Sequence, residues 1–235
     1  MVAAVLGVFE YVRLAQALGA QVPRAIAASG VVAACAAVAC PEVPLDLVLL
    51  TSLIVIGALA VGSGQPGPAI LRDAAATIFP LAYIGLPLGA IAAVRDIAGR
   101  EALLLLIAAI VISDSTQYYT GRAFGRSPLA PSISPKKTRE GAIGGIVFGT
   151  AALALGSRVL FPAANLAVMI LCAATIIVLG IVGDLFESLL KRSAGVKDSS
   201  ALIPGHGGIL DRIDSWLFAA PLYYAFVRYL QAAPQ

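Results

Sequence analysis

The sequence predicts an all-α fold, a polytopic integral membrane bundle of about eight transmembrane helices. Three observations carry this expectation. Of 235 residues, 60% are hydrophobic and only 12% are charged, where soluble domains carry about 25% charged residues. The mean hydropathy is +0.93, which on a soluble particle would leave large apolar patches. The apolar residues also fall in runs of roughly 20, the length an α-helix needs to cross a bilayer.

The runs are punctuated by Gly and Pro. The first, roughly 1–18, holds Glu10 and Arg13 within it and is the least regular. Runs at roughly 24–40 and 45–62 are separated by "CPEVPLD". A fourth, 75–94, follows "GSGQPGPA", and a fifth, 102–121, follows "DIAGRE". The sixth, 141–157, follows "SPLAPSISPKK"; the seventh and eighth are 164–189 and 215–231. No polar tail or Gly/Ser linker interrupts the series, so residues 1–235 read as one membrane domain, whose more charged half is roughly 102–231. Residues 1–9 lack a basic start, and no cleaved leader is expected.

Lys and Arg orient the bundle, because cytoplasmic loops carry their excess. With eight spans and the 122–140 loop cytoplasmic, twelve of the sixteen basic residues lie on one side. The loop 191–214 then falls on the same cytoplasmic face. The net charge of +3 gives no reason to expect nucleic acid. Cys35, Cys40 and Cys172 lack metal or disulfide spacing and read as apolar filler.

Ionisable groups at membrane depth are costly, and they usually face a bundle interior or a water-filled cavity. Asp114 shares a helical face with Gln117, Tyr118 and Gly121, and Asp184 shares one with Glu187 and Ser188. Such carboxylates could simply bind helices together. The stretch "KRSAGVKDSSALIPGHGGILDRIDS", 191–215, argues for more. Asp211 and Asp214 stand one helical turn apart, and with Asp184 they offer three oxygen donors of the kind hard cations take. A pair of acids at a helix start could equally be charge capping. Gly205, Gly207 and Gly208 would let backbone N–H groups approach a phosphate. His206, the only histidine, could donate to that phosphate or hold the loop. Lys191, Arg192, Lys197 and Arg212, with Lys136, Lys137 and Arg139 from the other loop, suit phosphate oxygens. Together these parts suggest phosphoryl or nucleotidyl transfer. No GxxxxGK[ST] loop is present.

Residues 188–215 resemble the signature of the phosphatidate cytidylyltransferases, or CDP-diacylglycerol synthases. Ser188 precedes Lys191-Arg192, four residues separate that pair from Lys197-Asp198, and "PGHGGILDRID" follows. "SDSTQYYTGRAFGR" and "SPKKTREGAIGG" are similar to two further blocks of that family. The resemblance implies transfer of CMP from CTP to phosphatidate, giving CDP-diacylglycerol and pyrophosphate. It implies Mg²⁺, with a second metal or a monovalent cation as a further option, a location in the inner cell membrane, and a homodimer. By position, Asp184, Asp211 and Asp214 would bind metal. Lys197, His206 and Arg212 would meet phosphates, and Asp114 would line the same polar cavity. Ser188, Lys191, Arg192 and Asp198 fall among the substrate-binding positions. Family members begin with one or two further hydrophobic segments before a "YE" or "FE" helix end, whereas "GVFEYVRLA" arrives here by residue 8, so the N-terminus reads as short. An ion-coupled transporter would leave the glycines and the DxxD pair without a use. The motif of CDP-alcohol phosphotransferases is absent, and a related enzyme with another lipid or polyprenol acceptor is the closest alternative.

Overall fold

The computed structural model describes residues 1–40, 42–64, 66–200, 202 and 207–232. The helices are α1 (Val2–Ala17), α2 (Arg24–Ala39), α3 (Leu45–Gly62), α4 (Ala69–Pro80), α5 (Leu86–Phe124), α6 (Arg139–Leu160), α7 (Leu166–Ser193) and α8 (Leu210–Ala232). Four helical segments among the described residues are long and apolar enough to cross a membrane: Leu45–Gly62, Ala69–Phe124, Arg139–Leu160 and Leu166–Ser193. The protein is thus a helical membrane protein. Contacts divide it into two compact units, Met1–Ala93 with Leu190–Ile213, and Val94–Leu189 with Asp214–Gln235.

In the first unit the helices meet over small residues. A β-carbon on Gly85 would lie 2.9 Å from both Ala34 Cβ and the Val31 carbonyl, and one on Gly30 would lie 2.9 Å from Leu81. Glycine therefore lets α2 touch the turn that follows α4, as in other membrane helix pairs. That turn, Leu81–Gly85, is π-helical. Its cause is Pro80, which has no N–H to give the carbonyl four residues back. That carbonyl belongs to Ala76, and the Tyr11 hydroxyl donates to it instead, at 2.9 Å. α3 differs from its neighbours: only Ile56 is buried, as expected of a helix with an apolar surround.

In the second unit, Gly99 breaks α5 with φ +82°, a conformation open to glycine and costly for other residues. This is the join that "DIAGRE" predicts. The break releases carbonyls, and the Gln231 side chain donates to that of Ile97. Beyond it, α5 packs on a glycine face of α6. A β-carbon on Gly141 would stand 2.7 Å from the Gln117 carbonyl, and one on Gly149 would stand 2.8 Å from Ser113 Cβ. Gly145 lies so close to Gln117 that no β-carbon fits.

One element lies outside the all-α expectation. Strands β1 (Pro128–Ala130) and β2 (Ser134–Thr138) form an antiparallel hairpin in the stretch read from sequence only as a join. Three prolines in "SPLAPSISP" hide it, because proline is poor in strands. The hairpin ends on Thr138, whose hydroxyl accepts the Gly141 N–H at 3.1 Å and caps α6. Glu140 accepts the N–H groups of Arg126 and Ser127 at 3.1 and 3.3 Å, which ties the hairpin's entry to the same helix start.

Gly145→Ala should overpack the α5–α6 contact and lower stability by about 1–3 kcal/mol. Gly57→Ala, where a β-carbon meets nothing within 4 Å, should not. Thermal unfolding of the two variants in detergent tests the difference.

Candidate active site

The polar residues gather in two groups, one in each unit. In the second unit the hairpin delivers Lys137 to α7, where its ammonium pairs with Asp184. Both side chains are about three-quarters covered. Asp114 on α5 accepts a hydrogen bond from Gln117 at 3.1 Å and lies within electrostatic reach of Asp184 and Lys137. α8 meets α7 at Gly183, where a β-carbon would stand 2.6 Å from the Asp214 carbonyl. Glycine thus brings the backbone of Asp214 against the residue next to Asp184. The Asp214 carboxylate also accepts the N–H of Ser215 at 2.7 Å. Lys136 and Arg139, on either side of this hairpin end, are exposed.

In the first unit the loop from α7 to α8 is built around Asp211. Its Oδ1 pairs with the Lys191 ammonium. Its Oδ2 accepts the Ser199 hydroxyl at 2.6 Å, the Gly208 N–H at 2.8 Å and the Ser199 N–H at 3.0 Å. Burial alone pushes this carboxyl's pKa up. Lys191, Ser199 and Gly208 outweigh that push and hold it down at about 2. Asp211 lies ahead of the apolar stretch of α8 that starts at Ser215. Gly207 has φ +78°, and a β-carbon there would stand 2.8 Å from Asp211. One on Gly208 would collide with Ser199 and the Glu10 carboxylate. These two glycines therefore make room for carboxylates, and the Gly208 N–H is already committed to Asp211. Sequence reading had reason to consider only phosphate.

The remaining predicted residues are spread around these groups. Lys197 and Asp198 are exposed, and so is Arg212 on the first turn of α8. Arg192 donates to the Val196 carbonyl at 3.1 Å, closing the end of α7. Ser188 is half-buried. Gly205 and His206 lie outside the described residues. Glu10 is the polar residue that sequence reading left without a role. It is 3% exposed and accepts from Ser200 Oγ, Ile209 N and Leu210 N at 2.6, 3.0 and 2.7 Å. Its signal was visible as the lone acid within the first apolar run.

A divalent cation such as Mg²⁺ takes one or two carboxylates, with waters and substrate phosphates completing its shell. Asp184 and Asp211 fit that use, since each already turns an oxygen to a cation, the ammonium of a lysine. No three His, Cys, Asp or Glu side chains among the described residues form a ready ligand set. Substrate phosphates would therefore have to supply the rest.

A family model described as the cytidylyltransferase family matches residues 1–230. The chain is 34% identical over 197 residues to a phosphatidate cytidylyltransferase of Thermotoga maritima, covering 81% of this chain and 71% of that protein. It is 48% identical over 130 residues to phosphatidate cytidylyltransferase 5, chloroplastic, of Arabidopsis thaliana, covering 55% and 32%. It is 41% identical over 132 residues to a phosphatidate cytidylyltransferase of Haemophilus influenzae, covering 54% and 46%. The match thus spans about a third and just under half of the length of the latter two relatives.

The Asp211 carboxyl sits below its unfolded value of about 3.9. Its contribution to stability, about 2–3 kcal/mol, is complete above about pH 4 and fades as pH falls through about 2. Lys191→Met should leave Asp211 buried without its cation, cost about 3–5 kcal/mol at neutral pH, and move the acid limb of the unfolding profile upward. Unfolding followed against pH in detergent checks both effects.

Proposed function

Because the chain belongs to the cytidylyltransferase family, we propose that it transfers CMP from CTP to phosphatidate, releasing pyrophosphate and leaving CDP-diacylglycerol in the membrane. The observation that carries this reading is a pairing of opposite charges. Lys137 holds Asp184 and Lys191 holds Asp211, each pair inside its own unit. A nucleoside triphosphate with its metal presents the complementary partners, phosphate oxygens for the ammonium groups and a cation for the carboxylates. At either pair such a substrate can replace both halves without leaving a buried charge alone, the condition that makes broken ion pairs costly.

In this reading a phosphatidate oxygen attacks the α-phosphorus of CTP. The bond from that phosphorus to the bridging oxygen breaks, and pyrophosphate carries away the electron pair. No protein nucleophile is needed, since the lipid phosphate is already an anion. Mg²⁺, when bound, offsets charge on the attacking and leaving oxygens. Asp184, Asp211 and Asp214 are the acids that the resemblance assigns to metal. Lys137, Lys191, Lys197 and Arg212 would stabilise the triphosphate as charge spreads over it. Lys136, Arg139, Arg192 and His206 would extend that basic surround. Asp114 would keep a polar lining beside Asp184.

The finer topology belongs to the same proposal. Eight crossings would put 122–140 and 191–214 each on the cytoplasmic side of the inner membrane, where CTP is supplied. The acyl chains stay in the bilayer. A homodimer follows from the resemblance.

Membranes holding the protein should convert labelled CTP and phosphatidate to a lipid-soluble product, and a panel of other lipid phosphates should not replace phosphatidate. Preference for a polyprenyl phosphate would shift the assignment to another acceptor. Asp184→Asn and Asp214→Asn should each lower turnover by about a hundredfold or more, with insertion unchanged. Near-parental turnover in either would remove that residue from the metal assignment. A cysteine in place of exposed Lys197 should resist an impermeant thiol reagent added from outside intact cells.

A further inference from the structure

The Glu10 carboxylate is 3% exposed and holds two separate points of the chain between α7 and α8. Its Oε1 accepts a hydrogen bond from Ser200 Oγ at 2.6 Å and one from Ile209 N, just before α8, at 3.0 Å. Its Oε2 accepts Leu210 N at 2.7 Å and lies 3.0 Å from Ser199 Oγ. The first amides of α8, which a helix leaves without internal partners, are thus capped by a carboxylate nearly two hundred residues away in the chain. A negative charge is favoured there.

Capping alone does not account for Ser199. Its hydroxyl oxygen lies 2.6 Å from Asp211 Oδ2 and 3.0 Å from Glu10 Oε2. A hydroxyl has one proton to donate, so the two carboxylates share it. When a cation takes charge from Asp211, that carboxylate needs the proton less, and the hydroxyl can turn it toward Glu10. Without the Glu10 charge, the proton has one destination and stays on Asp211, competing with the incoming cation.

We propose that Glu10 is a positioning residue that, through Ser199, sets how readily Asp211 accepts a metal ion. This rests on the reading of Asp211 as a metal ligand. Glu10 itself meets neither metal nor substrate in this account. Ser200, which donates to Glu10 at 2.6 Å, serves as the comparison.

The test is Mn²⁺ titration of the full chain in detergent, followed by quenching of Trp216. This is the sole tryptophan, and it lies two residues beyond Asp214 on α8. Glu10→Gln should raise the Mn²⁺ midpoint about tenfold or more, whereas Ser199→Ala, which removes the competing proton, should lower it below the parent's. The double variant should match Ser199→Ala, because without the hydroxyl Glu10 has nothing to act through, and Ser200→Ala should stay within twofold of the parent. A Glu10→Gln midpoint within twofold of the parent, an additive double variant, or no quenching in the parent overturns the proposal. If Glu10→Gln does not fold, Ser199→Ala against Ser200→Ala decides: equal midpoints overturn it. The readout is metal binding, so Glu10-dependent quenching in a protein that fails to convert CTP would uphold this inference while overturning the proposed reaction.

Discussion

Asp211 has little exposed surface, and its two oxygens take an ammonium, a hydroxyl and two backbone N–H groups. A buried carboxylate demands this much, because an ionised group out of water costs several kcal/mol unless it is paired and hydrogen-bonded. The demand shapes the loop from α7 to α8. Lys191 must end α7 on the side of Asp211, Ser199 must turn its N–H and hydroxyl inward, and residues 207 and 208 must lack side chains. The start of α8 follows from the same carboxylate, since the Gly208 N–H is drawn to it. Remove Asp211 and the charge on Lys191, the two glycines and the Ser199 turn all lose their physical reason.

The same rule governs the apolar remainder. In hydrocarbon, a backbone carbonyl freed from its helix must find another donor. Pro80 frees Ala76, and the Tyr11 hydroxyl answers. Gly99 interrupts α5, and Gln231 answers at Ile97. Each break comes with a polar side chain from another helix. Their spacing in sequence, 65 and 134 residues, shows that these breaks fix contacts between distant segments.

Much of this was legible beforehand. The apolar runs at 24–40 and 45–62 coincide with α2 and α3 to within a residue, because hydropathy, Gly and Pro act locally. The break near Gly99 was legible for the same reason. The pairing of Lys137 with Asp184 was not, since nothing in spacing links residues 47 apart. Both were named as candidates, with phosphate as the lysine's partner and metal as the acid's. Glu10 was misjudged in kind. An acid inside an apolar run weakens the case for a helix if it is alone, and only the fold shows four donors brought to it. The hairpin at 128–138 escaped because its short strands carry prolines and little alternation of polarity.

That hairpin sorts two adjacent lysines. The register of the two strands shifts between Pro128 and Ala130, so three residues of β2 stand opposite one of β1, and within that bulge Lys137 reaches Asp184 while Lys136 stays at the surface. The two neighbours, alike in charge and chemistry, thereby acquire different environments through geometry alone. Which lysine takes which place is decided by the pairing of Ala130 with Ser134 and Pro128 with Thr138. Without the extra residues of that irregular stretch, Lys137 would lose its place at Asp184. The accuracy of a charged contact in α7 is thus delegated to the turn at 131–133, which carries no charge of its own.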